Sequence, residues 1–186
     1  MSSRYAFDLA GPADDAQLRA RMAEDRMEGS IAISFRREPS YFAGCRVQGD
    51  ATQVMKCVDT ATGRIVGLGS RSTSLAWVDG TARRIGYLAD LRGAPDVRRG
   101  TLLARGFRLL RQLHDDDPVP FYTTVIYEGN EPALRSLVGA RAELDAARAR
   151  CAGIARGRCL RHALYHLRQH QLAHADDRGE SVDNDP

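Results

Sequence analysis

Residues 84–113, RIGYLADLRGAPDVRRGTLLARGFRLLRQL, constrain this chain more than any other stretch. The first part alternates with a period of two. Ile85, Tyr87, Ala89 and Leu91 point one way, and Gly86, Leu88 and Asp90 the other, as along a strand. Gly93 and Pro95 end that pattern. From Thr101 the period becomes helical, with Leu103, Phe107 and Leu110 in one row and Leu102, Leu109 and Leu113 beside it. Arg105, Arg108 and Arg111 fall on the opposite face. Between the two patterns stands Arg98-Arg99-Gly100. The first N–H groups of a helix have no internal partner, and the helix dipole there favours anions. Two guanidinium groups at the same place add charge-assisted donors. A strand, a basic turn and a helix N-terminus in this order are either a phosphate-binding device or an ordinary strand–loop–helix unit of an α/β domain with surface arginines.

The flanking segments extend the pattern. Residues 52–70, TQVMKCVDTATGRIVGLGS, read as two strands, Val54–Val58 and Ile65–Leu68, joined by the polar turn Asp59–Gly63. Asp79-Gly80 favours a tight hairpin after Trp77-Val78, because such a turn needs positive φ. Phe121–Tyr127 is rich in β-branched and aromatic residues, as a strand should be. Asn130 is placed to cap the next helix, whose apolar face is Ala133, Leu134, Leu137 and Val138.

Taken together, these segments resemble the acyl-CoA-binding core of the GNAT superfamily of N-acyltransferases. In that family a strand runs into an R/Q-x-x-G-x-G/A turn that wraps the pyrophosphate of coenzyme A. The likeness covers about residues 5–140 in element order, and includes an N-x-x-A pattern at Asn130 and Ala133. The loop is a degenerate version of the family's. With Arg98 as the arginine, Thr101 and Leu103 occupy the two glycine positions. Leu137 stands where the family often carries a tyrosine that protonates the leaving thiolate.

The resemblance implies an α/β (α+β) fold with a mixed, mostly antiparallel central sheet flanked by helices. It implies acetyl-CoA as cosubstrate, no metal, and a small-molecule or peptide amine as acceptor; it also allows a homodimer. The cofactor-binding positions it suggests are Leu91, Arg92, Arg98, Arg99, Gly100, Thr101, Leu102, Leu103 and Asn130. Asp90, near the strand's C-terminal end, is a candidate general base, or else the partner of an arginine such as Arg92 or Arg98. Tyr127 is the nearest replacement for the absent tyrosine, or else a core or interface residue. Residues 28–48 carry Phe35, Tyr41 and Phe42 around Arg36-Arg37-Glu38-Pro39. They form either part of an acceptor wall or a core-packing helix with surface charge. The alternative to an enzyme is a non-catalytic acyl-CoA or small-molecule binding module of the same fold.

Composition sets the outer bounds. A chain of 186 residues suits one domain with a real core. No apolar run approaches a membrane span, and the N-terminus lacks a signal peptide's apolar segment, so the expected compartment is the cytoplasm. The cysteines Cys45, Cys57, Cys151 and Cys159 form no CxxC pair or zinc spacing. Nucleic acid is not expected as a partner: the basic body has neither an aromatic RNA platform nor a recognition-helix signature. Tyr5–Leu9 reads as a first strand and residues 13–27 as a helix with an acidic first turn. Residues 1–172 are expected to form the domain, with 141–172 read as alanine-, arginine- and leucine-rich helix broken near Gly153 and Gly157, or else as holding the two further strands with which the resembled family usually ends. His162, His166, His170 and His174 then recur every four residues, either as chelating pairs or as a solvated stripe. Residues 173–186 hold five acids and one arginine, a charge of −4 that leaves +7 elsewhere, and read as a disordered tail.

Overall fold

The computed structural model describes residues 3–25, 34–97, 102–126, 130, 133 and 161–165. In chain order they form β1 (Tyr5–Leu9), α1 (Asp15–Glu24), α2 (Tyr41–Cys45), β2 (Ala51–Asp59), β3 (Arg64–Val78), β4 (Thr81–Gly93), α3 (Leu102–Asp116), β5 (Tyr122–Ile126) and β6 (Arg161–Tyr165). The strands lie side by side in sequence order, β1 to β6. Every neighbouring pair is antiparallel except β4–β5, which is parallel with α3 as its crossover.

Two turn residues fix the longest hairpin. Asp79 and Gly80 adopt φ of 50° and 74°, and Val78 pairs with Thr81 across them. Positive φ at both central positions is the two-residue turn whose twist matches that of the strands it joins. The hairpin makes β3 and β4 much longer than the expected Ile65–Leu68 and Ile85–Leu91. The polar run after Gly69 hid that length.

Two apolar clusters lie on opposite faces of the sheet. Ile65 joins Leu18, Met22, Tyr41, Cys45, Val54 and Leu68 beneath α1 and α2. The next residue, Val66, turns to the other face with Cys57, Ala94 and Val97, against which Leu102 of α3 and Phe7 of β1 pack. Arg105, expected on α3's solvated face, instead reaches β1. It donates to the Tyr5 carbonyl (2.7 Å) and lies 5.1 Å over the Phe7 ring. Its long apolar stem lets a guanidinium lie against a ring while still finding acceptors.

Of the helix and strand alternatives for residues 141–172, the strand holds at 161–165, which form β6, antiparallel to β5 with Arg161 opposite Ile126 and Tyr165 opposite Tyr122. The outer edge of β5 carries backbone groups that need partners, and that tertiary demand outweighs local helix propensity. His162 is therefore in a strand, which removes it from a four-residue helical stripe. His166, His170 and His174 lie outside the described residues, as do Tyr127, Leu134, Leu137, Val138 and the expected tail 173–186.

Carboxylates fasten the N-terminal elements. Asp14 accepts from Lys56 Nζ (2.7 Å) and the Gly11 N–H (2.8 Å). Asp15 accepts from the Ser40 hydroxyl and the Tyr41 N–H, both at 2.8 Å, which docks α2 on α1. Asp59 takes Arg4 at 3.0 Å. The Lys56 ammonium holds Asp14, the Ser40 hydroxyl Asp15 and the Arg4 guanidinium Asp59 below the usual carboxylate range. For an acid whose folded pKa is lowered, the stabilisation is full above the unfolded value, near 4, and is lost as pH falls through the folded value. The melting temperature is expected to hold from pH 7 to about 5 and to drop below about 4, with a shallower drop in Asp14→Asn. A melting curve series across that range measures it.

Candidate functional site

The parallel step between β4 and β5 is where the sheet opens. Among the described residues only Gly86–Tyr122 and Tyr87–Thr123 are paired, although β4 runs on to Gly93 and β5 to Ile126. Gly86 points its N–H at the Phe121 carbonyl (3.0 Å). Alternation along the strand puts Leu88's backbone polar groups on the same side, past the last paired position. The cleft inferred from this parting has the β4 edge on one side. Leu91 stands 46% exposed at its mouth.

The same stretch of β4 is bulged. Leu68 pairs with Arg92 and Ser70 with Ala89, so Gly69 alone faces Asp90 and Leu91. Two residues opposite one define a β-bulge. Asp90 takes φ of 58° there, a left-handed conformation in which glycine is the usual occupant and aspartate is tolerated. The bulge also explains why strict alternation fails after Ala89.

The Asp90 carboxylate is enclosed. Arg37 donates to both oxygens, at 3.0 and 2.7 Å. Oδ2 further accepts from the Tyr41 hydroxyl (3.0 Å), Gln48 Nε2 (3.2 Å) and the Ser70 hydroxyl (3.4 Å). Arg37 and Asp90 are mostly buried, and Arg37 sits 5.2 Å over the Tyr41 ring. Burial first, and then the Asp90 charge, push the Tyr41 phenol far above its ordinary range, so it is a fixed donor. Of the two sequence alternatives for Asp90, this geometry supplies an arginine partner. That partner is Arg37, 53 residues earlier. Local spacing carried no signal for it, because loop 34–40 and α2 come to the bulge only through the tertiary fold.

Residues 28–48 divide likewise. Tyr41 is wholly buried in the core beneath α1, with Phe35 and Phe42 packed against that cluster. Arg37 and Gln48 turn to Asp90. Arg92 packs 5.8 Å over Phe35 and lies 4.0 Å from Asp25. Its side chain thus points to the α1 side, while its backbone remains on the β4 edge. Leu102 and Leu103 open α3. Arg98, Arg99, Gly100 and Thr101 lie outside the described residues. Asn130 caps as expected, its Oδ1 accepting from the Ala133 N–H at 3.2 Å.

On the opposite face a second polar network ties β3, α3 and β5 together. Arg71, 2% exposed, donates to the Tyr122 hydroxyl (2.8 Å), to Gln53 (2.7 Å) and to the Asp117 carbonyl. His114 Nδ1 lies 3.1 Å from the same hydroxyl. This network was not foreseen. The arginine sits in a run of small polar residues, Ser70 to Ser74, that reads as surface.

No sequence-family model and no curated protein matches this chain. Solved structures do. A Trypanosoma brucei acetyltransferase superposes with a TM-score of 0.54 at 16% identity, over 74% of this chain and 92% of that one. Glucosamine-6-phosphate N-acetyltransferase from Arabidopsis thaliana gives 0.54 at 12%, over 75% and 93%. The chain has the GNAT N-acyltransferase fold. A third structure of that fold, Arabidopsis thaliana NAA60 solved in complex with acetyl-CoA, gives 0.53 at 16%, over 70% and 80%. No helix of the described residues is long and apolar enough to cross a membrane. Among the same residues no group of three metal-ligating side chains occurs.

Proposed function

We propose that this protein is an N-acyltransferase that moves an acetyl group from acetyl-CoA to a primary amine. The observation that carries the reading is the parted β4–β5 pair, with a bulge at Asp90 on its open edge and α3 beginning at its far end. Such an edge fits the cosubstrate. Its pantetheine arm carries amide groups, which suit the edge of β4 beyond its last ladder position with β5, as in strand addition to a sheet edge. Its pyrophosphate suits the donors that the sequence places before α3: Arg98, Arg99, Gly100 and Thr101, with Leu102 and Leu103 at the helix start. Leu91 would cover the arm, and Asn130 would help fix it from the β5 side.

When bound, acetyl-CoA supplies an activated acyl group. The chain's part is to orient it and to aim backbone N–H groups at the carbonyl oxygen. The amine nitrogen forms the new C–N bond and gives up one proton, the C–S bond breaks, and the thiolate takes up one proton. Tyr127 remains the proposed donor of that proton. A cytoplasmic enzyme acting without a metal is part of the same reading.

Leu137, at the position of the family's tyrosine, favours the second reading, an acyl-CoA binding module without turnover. Calorimetric titration with acetyl-CoA and with free CoA tests binding, and thiol release over a panel of amines tests turnover. Binding without thiol release selects the module, and no binding of either ligand removes both readings. Arg98→Ala with Arg99→Ala is expected to weaken acetyl-CoA binding by about 1.5–3 kcal/mol for each charged hydrogen bond lost, or roughly tenfold or more. Unchanged affinity in that double variant would move the pyrophosphate site elsewhere.

A further inference from the structure

We infer that Asp90 is a positioning residue, whose carboxylate, gripped by Arg37, Tyr41 and Gln48, holds the β4 backbone in the left-handed bulge that shapes the acyl-facing edge. The inference rests on the acyl-transfer reading for what the edge does, and on this chain's own contacts for how the edge is held.

Three observations converge. The first is the backbone: Asp90 sits at φ 58° on a central strand, where an ordinary side chain is disfavoured. The second is the carboxylate. It accepts five hydrogen bonds from four residues, of which Arg37, Tyr41 and Gln48 lie on loop 34–40, α2 and the turn after α2. A general base needs a lone pair within reach of the incoming proton. Four of the five bonds here converge on Oδ2, Arg37 takes Oδ1 as well, and Tyr41, a main donor, is wholly buried. The third is that the donors are themselves fixed. Tyr41 is locked in the core, and its N–H is bonded to Asp15 of α1. Gln48 also accepts from Ser70 (3.3 Å), the residue of β3 that pairs with Ala89 beside the bulge.

The consequence is mechanical. A bulge re-aims the backbone N–H groups around it. In this chain the aim is set from behind the sheet, by the helix layer that carries Arg37 and Tyr41. A displacement of α2 therefore reaches the open β4 edge through the Asp90 carboxylate, beside a second charged contact at the bulge, the Arg92 guanidinium donating to the Leu91 carbonyl (3.0 Å).

The test compares Asp90→Asn with Asp90→Ala. Asparagine tolerates the left-handed conformation and keeps an oxygen for Tyr41 and Gln48; alanine does neither. The first readout is backbone hydrogen exchange over residues 88–93 in the free protein. Asp90→Ala is expected to speed exchange there at least tenfold, and Asp90→Asn less than threefold. The second is calorimetry with acetyl-CoA and CoA. Asp90→Ala is expected to lose the preference for the acetylated ligand while binding CoA within about threefold of wild type, whereas Asp90→Asn keeps that preference. Once an acceptor is known, Asp90→Asn should also retain the wild-type pH profile of turnover, which loss of a base would alter. Because Arg37 loses its counter-charge in either variant, Arg37→Met with Asp90→Asn is included, and is expected to fold and to protect residues 88–93 as Asp90→Asn does. If Asp90→Asn and Asp90→Ala behave alike in exchange, or Asp90→Ala leaves exchange unchanged, the inference is overturned. If wild type binds neither ligand, the acyl-transfer reading fails, and the exchange data still decide whether the carboxylate holds the bulge.

Discussion

Arg71→Ala is expected to cost the fold about 3–5 kcal/mol, the range for removing one member of a buried charged network. The arginine is 2% exposed, and its guanidinium serves three acceptors in three parts of the fold: Gln53 of β2, the Tyr122 hydroxyl of β5 and the Asp117 carbonyl at the end of α3. Truncation leaves these groups short of a donor and opens space beside the Tyr122 ring, over which Arg71 lies at 5.6 Å. Arg71→Met, which keeps apolar volume, should lose less. Asp117→Ala should lose least. Its carboxylate is 38% exposed and 3.4 Å from Arg71, and so long a contact to a solvated carboxylate contributes little. Urea denaturation of the three variants checks the order. A loss under 1 kcal/mol in Arg71→Ala would mean that packing alone holds α3 to the sheet.

Gly86→Ala is expected to be nearly as damaging. A Cβ on Gly86 would come within 2.1 Å of Tyr122 Cδ1 and 2.3 Å of Cε1, a separation no carbon pair sustains. The ring cannot swing aside without cost, because its hydroxyl is bonded to Arg71 and contacted by His114. Nor can the backbone retreat, since the Gly86 N–H is bonded to the Phe121 carbonyl. Forcing a methyl group into so fixed a contact costs about 3 kcal/mol, the upper end for overpacking, which in a domain of this size lowers the melting temperature by about 6–12 °C. Since Gly86 is the first of the two paired positions of β4 and β5, the cleft should widen as well, and acetyl-CoA affinity should fall with stability. Thermal denaturation of Gly86→Ala, Tyr122→Leu and the double variant provides the check. The double variant should recover part of the loss, because the smaller residue yields the space. Strict additivity would show that the clash is relieved somewhere other than the Tyr122 ring.

The strand and the helix of residues 84–113 were legible in the sequence because each obeys a local rule. A period of two writes a strand, a period of 3.6 writes a helix, and Asp79-Gly80 writes a hairpin whatever the rest of the chain does. Asn130 was legible for the same reason: a cap needs only its own side chain and an N–H three residues on. Element order then pointed to the fold that the solved structures share with this chain. The sequence by itself therefore determined the central elements and their order. Three things were decided only in the tertiary structure. Residues 161–165 are a strand because the edge of β5 needed hydrogen-bond partners, a demand absent from those five residues alone. Arg71 is buried because β5 and the end of α3 close over it, although its neighbours in sequence are small and polar. Asp90 is bound to Arg37, Tyr41 and Gln48 because a bulge turns it toward a loop and helix some 40 to 50 residues earlier in the chain. Contacts of that range leave no period in a sequence; they exist only once the sheet has brought their elements together.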